Sequence, residues 1–182
     1  MEQKNVSNGK IGSVVRIITI IAIVCMFACQ FLPYASAKKE LANRLNKYKD
    51  EIFYEKLDLT CGDVVNVSMI EFTRINMSER DDGILYVILV SCIGGFTLLA
   101  GWTSFRKKNI KTIVFAGLAC ATFWLQSWDY KSRGVVPSDR YGWGIGYYLF
   151  IVAVIVVIVG SIYMKIYSNK QKKIQAEIES IQ

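Results

Sequence analysis

The 182-residue chain contains no histidine. That absence excludes serine–histidine–aspartate and cysteine–histidine catalysis, and every zinc site that uses an imidazole. The five cysteines, Cys25, Cys29, Cys61, Cys92 and Cys120, form no Cys-x-x-Cys pair, and four lie in apolar runs. A free thiol in such a run behaves as a small hydrophobe. No Asp, Glu, Lys or Arg falls within 84–102, 112–128 or 142–164. Proton relays and ion-coupled carriers usually place such residues near the bilayer midplane. Charged residues make up 20% of the chain and hydrophobic ones 53%, so the formal charge of +7 is not gathered in a basic domain. Nucleic-acid binding is therefore not expected.

What the chain has in abundance is apolar runs. Gly142 to Met164 carries no charge, and at about 1.5 Å per residue it reaches roughly 35 Å, enough for a hydrocarbon core of about 30 Å. Its centre, Phe150 to Val159, favours insertion by about 3 to 5 kcal/mol on a residue scale. Similar runs predict four spans at about 11–36, 84–104, 110–128 and 142–166. They leave an external subdomain over 37–83, an internal link over 105–109, a second external loop over 129–141 and a tail over 167–182. The predicted fold is an all-α, four-transmembrane-helix bundle with both termini cytoplasmic and a small α/β external subdomain between helices one and two. For the first run there is a competing reading, a signal peptide cleaved after Ala35-Ser36-Ala37. The length of the run favours an uncleaved helix.

Within 37–83, Leu41, Leu45, Tyr48 and Ile52 recur at helical spacing and predict a helix over about 38–55. Leu57, Leu59 and Cys61 alternate with polar residues, as do Val65 and Val67 after Gly62-Asp63, which predicts a hairpin. Ser68 and Glu71 match a capping box that opens a short helix to about Ile75. Met69, Phe72 and Ile75 of that helix are candidate contact residues, and Cys61 is a fourth. On the spans, Ser91-x-x-x-Gly95 with Gly94, and Ala116-x-x-x-Cys120 with Gly117-x-x-x-Ala121, offer small faces for helix contact. In the tail, Ile174 and Ile178 repeat at helical spacing.

Orientation follows from charge. The N-terminal segment, the link and the tail, with Arg16, Lys111 and Lys165 at the adjoining span ends, hold 11 Lys and Arg with 3 acids, against 11 and 12 on the opposite side. Short basic links stay in the cytoplasm. Tyr34, Trp128, Tyr130, Tyr141 and Trp143 form an outer aromatic belt on this reading.

Phe31-Leu32-Pro33-Tyr34-Ala35-Ser36 resembles the Leu-Pro-x-aromatic-x-Ser region of the claudin-like superfamily. The long first loop, tight link, short second loop and inside termini are similar to that family, as are a hairpin and short helix before span two. Gly144-Ile145-Gly146-Tyr147-Tyr148 is similar to bacterial four-helix membrane proteins. The family's loop-one Trp and cysteine pair are absent. The resemblance implies a fold and contact-forming behaviour, without paracellular sealing. The expected function is that of a non-enzymatic membrane protein, an accessory subunit, assembly or binding protein. Its expected partners are the lipid bilayer and a membrane protein or further copies of itself, with no cofactor or metal. An oligomeric channel or transporter is the alternative, and a membrane thiol oxidoreductase the remote one.

Overall fold

The computed structural model describes residues 2–79 and 83–179, with side chains over 11–79 and 83–176. In chain order the elements are α1 (Glu2–Ala28), β1 (Pro33–Ala37), α2 (Lys39–Lys47), β2 (Ile52–Tyr54), β3 (Leu59–Thr60), β4 (Asn66–Ser68) and α3 (Met69–Glu79). They continue with α4 (Gly83–Phe105), α5 (Asn109–Ser132), β5 (Tyr141–Trp143) and α6 (Ile145–Glu179). Segments Ile11–Ala28, Gly83–Phe105, Asn109–Ser132 and Ile145–Ala176 have the length and hydropathy to cross a membrane. The chain is an all-α, four-helix multi-pass membrane protein with a small α/β subdomain.

Around the bundle α1 packs on α4 and α6, and α5 packs on α4 and α6. Met26, Ile93, Ala100, Ala116, Phe123, Phe150 and Val157 fill the centre and are fully buried. Ile17, Val24, Leu98, Val114, Val152 and Ile155 point outward and are exposed. A helix that is apolar on every side suits lipid rather than water. Toward the α4–α5 link, the Thr103 and Thr112 hydroxyls meet at 3.1 Å and join those two helices.

The first span ends earlier than the sequence suggests. The α1 helix stops at Ala28 rather than continuing to 36. Pro33 has no N–H to donate, and the residue before a proline is pushed toward extended backbone. From Pro33 the chain is strand β1, the centre of a three-stranded antiparallel sheet ordered β4-β1-β5. Ala35 pairs with Val67 on one side and Trp143 on the other. The subdomain therefore begins at 33 rather than 37, and it recruits 141–143 from the second loop. That loop is also shorter than 129–141, because α5 continues to Ser132. The final helix runs through 166 to Glu179 without a break.

Other corrections lie inside the subdomain. The helix expected over 38–55 is only α2, because the chain folds back: Glu51 and Lys49 carbonyls accept from the Cys61 and Gly62 amides at 2.8 and 2.9 Å. The expected hairpin across Gly62-Asp63 does not form. Instead β2 pairs with β3, and β4 pairs with β1. Asp63 explains the change, since its carboxylate accepts from the Thr60 amide at 2.9 Å and hydroxyl at 2.8 Å. Those bonds favour a single 3-10 turn over Asp63–Val65 instead of an extended strand. The capping box is present. Glu71 accepts from the Ser68 amide at 2.8 Å, and the Ser68 hydroxyl accepts from the Glu71 amide at 3.2 Å. The helix it opens runs past Ile75 to Glu79.

Two glycines fix the junction between bundle and sheet. A Cβ on Gly144 would collide with the Pro33 carbonyl oxygen, and one on Gly146 would meet the carbonyl oxygens of Pro33, Cys29 and Leu32 at 3.0 to 3.1 Å. The Gly144 amide donates to the Tyr34 carbonyl at 2.7 Å. The Gly-Ile-Gly run is thus the place where α6 starts directly against the backbone leaving α1.

Candidate functional site

At its sheet end the bundle is closed by a lid of aromatic rings around Tyr34. This side chain is only 1% exposed. Phe72, Phe123, Tyr130, Trp143 and Tyr147 surround it edge-on, with ring centroids 5.3 to 6.4 Å away. Edge-to-face contacts of this kind add to the area that each ring buries. The Tyr34 hydroxyl donates to Ser127 Oγ at 2.8 Å, and Ser127 in turn donates to the Phe123 carbonyl at 2.8 Å. Tyr86 stacks on Tyr130 at 5.2 Å and donates to Asp129 at 2.6 Å, whose other oxygen receives Arg133 Nε at 2.9 Å. The lid is a packed and hydrogen-bonded plug. Two of its expected belt members, Tyr34 and Tyr130, are core residues, while Trp128 does face outward.

Beside the lid, Trp124, Ser127, Trp128, Lys131, Trp143 and Tyr147 enclose a shallow cleft of about 210 Å³. Just below it, two amides are buried with unused capacity. Among the described residues, Gln30 Nε2 and Gln126 Oε1 find no hydrogen-bond partner. Gln30 rests on Gly94, where a Cβ would come within 3.3 Å of its Oε1.

The subdomain has its own small core of Leu45, Val64 and Val67, joined by Leu41, Tyr54, Cys61, Ile75 and Tyr141. Phe72 belongs to both this cluster and that of the bundle. The Tyr141 hydroxyl donates to the Val64 carbonyl at 2.8 Å, and burial raises its pKa. Burial likewise raises the Tyr54 pKa, with a further push from the Glu79 carboxylate. Outside this core, Tyr48, Ile52 and Phe53 are each about half exposed (48%, 58% and 50%). No sequence signal separated Phe53 from core candidates, and Tyr48 and Ile52 read as the buried face of the longer expected helix.

The residues proposed from sequence divide sharply. Met69 is buried in the bundle core, Phe72 bridges the two cores, and Ile75 packs in the subdomain. All three fasten the subdomain instead of presenting a free surface. Cys61 is half-buried against the subdomain core, and all five cysteines are unpaired. Cys25 is exposed and Cys29 buried one helical turn on, where the Cys29 amide donates to the Cys25 carbonyl at 2.9 Å. Gly95 and Gly117 do not join α4 to α5. A Cβ on either would touch nothing within 4 Å. One residue is about 100° of helix, and of the expected small residues it is their neighbours Gly94 and Ala116 that turn inward. Ile174 is half-buried near the end of α6, and the Ile178 side chain lies outside the described residues. Among the described residues, no group of three Cys, Asp or Glu is placed to hold a metal ion.

These features define a multi-pass membrane protein whose bundle is plugged at one end and carries a sheet-based subdomain there. No protein-family model, curated protein or solved structure matches the chain.

Proposed function

We propose that this is a non-enzymatic protein of the cell membrane that works through protein contacts, as an accessory, assembly or binding subunit. The observation that carries the reading is the exposure of Tyr48, Ile52 and Phe53 on the subdomain, away from the four spans. Large apolar side chains exposed on a part of the chain outside the spans suit a protein contact. Open faces at Gly95 and Gly117 give the spans a second, lateral means of contact. The basic 106–108 link and the basic start of the tail lie at the end of the bundle where both termini meet. That end is the cytoplasmic one on this reading. The strand β4 and helix α3 just before α4 suit the claudin-like resemblance, which also implies contact-forming behaviour.

The test is affinity purification of the tagged full-length chain in mild detergent, comparing wild type with Tyr48→Ser, Ile52→Thr, Phe53→Ser combined. The expected outcome is a stoichiometric partner, a second protein or further copies, lost in the triple variant while its melting curve is kept. A Gly95→Leu, Gly117→Leu variant tests lateral contact in the same way. Associations unchanged in both variants would sink the reading.

A further inference from the structure

We propose that a cleft between α1 and α6, at the end of the bundle carrying the chain termini, binds the phosphate of a membrane phospholipid. The cleft is about 270 Å³, and Ser13, Arg16, Tyr167, Ser168 and Gln171 line it. Among the described residues, no carboxylate lines it.

Its depth is fixed by two close helix contacts. Gly12 lies on the Tyr167 ring, where a Cβ would come within 3.1 Å, and Gly160 lies on the Thr19 hydroxyl. The two helices therefore run antiparallel, and Arg16 falls level with residues 163–164 of α6. Lys165, just beyond, is the first charged residue of that helix. Arg16 thus stands where the apolar stretch of α6 gives way to charge, which is the level of the lipid headgroups.

Arg16 is the one charged residue in the span Ile11–Ala28. A cation so placed in a span is costly without a counter-charge or access to the headgroups. Among the described residues it makes no ion pair. The other polar groups in the cleft suit an anion. Tyr167 accepts from Gln171 Nε2 at 3.0 Å, which leaves the phenol's own proton for a further acceptor. Ser168 adds an exposed hydroxyl. A guanidinium with hydroxyl donors beside it matches the oxygens of a phosphodiester, which Arg engages through two parallel bonds.

A lipid fits better than free phosphate because the apolar surface continues from the cleft toward the bundle centre. There α1 exposes Ile17, one turn on from Ser13, and α6 exposes Tyr163, whose ring stacks on that of Tyr167. Acyl chains attached to a phosphate in the cleft would lie along those side chains.

The experiment is native mass spectrometry of the delipidated full-length chain titrated with phosphatidylglycerol. Wild type is compared with Arg16→Gln and with Lys111→Gln, a cation at the same end but on α5. One lipid per chain is expected for wild type and Lys111→Gln. Losing a charge-assisted bond should weaken retention about tenfold in Arg16→Gln, with its melting curve in detergent unchanged. Retention equal to wild type in Arg16→Gln would overturn the proposal, as would equal loss in both variants, which is the mark of diffuse attraction. Displacement of the lipid by an equal concentration of inorganic phosphate would overturn the lipid assignment.

Discussion

The bundle and the subdomain differ in how much each holds of its own structure. Among the described residues, nineteen hydrophobic ones are buried together in the bundle core, including Tyr34, Ala35 and Met69 from outside the long helices. The subdomain's own cluster has three, Leu45, Val64 and Val67, and Leu59 is buried outside it. Short elements with so few buried side chains cannot offset the entropy of ordering their own backbone. The subdomain is ordered because the bundle orders it, through Phe72 in both cores, the Tyr141–Val64 bond and the central strand β1. The difference implies a hierarchy: damage to the bundle should melt both parts, and damage to the subdomain should stay local.

The strongest way to break that relation is at the junction. Gly144→Val would drive a branched side chain into the Pro33 carbonyl, a backbone atom with no room to move. The expected loss exceeds the roughly 1 to 3 kcal/mol of ordinary overpacking, and monodisperse protein should be absent in size-exclusion chromatography. Gly95→Ala supplies the contrast. Its Cβ enters open space, so stability should hold or rise by up to about 1 kcal/mol from helix propensity. A well-behaved Gly144→Val variant would show that the junction is not the clamp.

Next in size come truncations inside each core. Phe123→Ala removes a ring stacked on Phe150 at 4.1 Å and set edge-on to Tyr34. A loss of about 3 to 5 kcal/mol is expected, with hydrogen exchange speeding in α5 and in β4 together. Leu45→Ala is expected to cost about 2 to 3 kcal/mol and to speed exchange only across α2 and 64–67. Equal loosening of α5 by Leu45→Ala would mean one cooperative unit instead of two.

How much of this was legible in the sequence follows the same division. The four spans were readable because lipid imposes one rule, a long uncharged run, and Phe150 to Val159 obeys it without any partner. The capping box was readable because Ser68 and Glu71 act on each other's amides. Pairing in the subdomain was not readable, since β1 is chosen by β4 and β5, one of which lies over 100 residues away. Period-two alternation tells that a strand exists and says nothing of which strand it meets. The end of α1 was hidden for a related reason. Cys29 to Tyr34 is apolar enough for a span, and besides Pro33 it is the α6 start at Gly144 and Gly146, packed on the Cys29, Leu32 and Pro33 carbonyls, that fixes where the chain leaves the helix. The aromatic lid gave the wrong signal, because Tyr and Trp near a span end read equally well as belt or as plug.

A smaller effect sharpens the contrast from within the subdomain. Ser68→Ala deletes one half of the capping box at the start of α3, and about 1 kcal/mol of stability should go with it. The Glu71 amide would lose its acceptor, so exchange should quicken over the first turn of α3 while α4 keeps its protection. Loss of α4 protection would place α3 within the bundle's cooperative unit.

The smallest effect is the most local. Bonds from the Thr60 amide and hydroxyl hold the Asp63 carboxyl below its ordinary pKa. A depressed folded-state pKa means the contribution is fully present above the ordinary value. It is lost as pH falls through the folded one. The turn after β3 should therefore loosen under acid, below about pH 4, where an unperturbed carboxylate titrates. Asp63 is exposed, so solvent screens the effect and global stability should scarcely change. The readout is exchange at the Thr60 amide, slower at pH 5 than at pH 3 after correction for intrinsic rates. Asp63→Asn removes the charge but keeps an acceptor oxygen, so the pH dependence at Thr60 should vanish while part of the protection stays. An unchanged acid response in that variant would assign it to another carboxylate, and would leave the 3-10 turn held by geometry instead of charge.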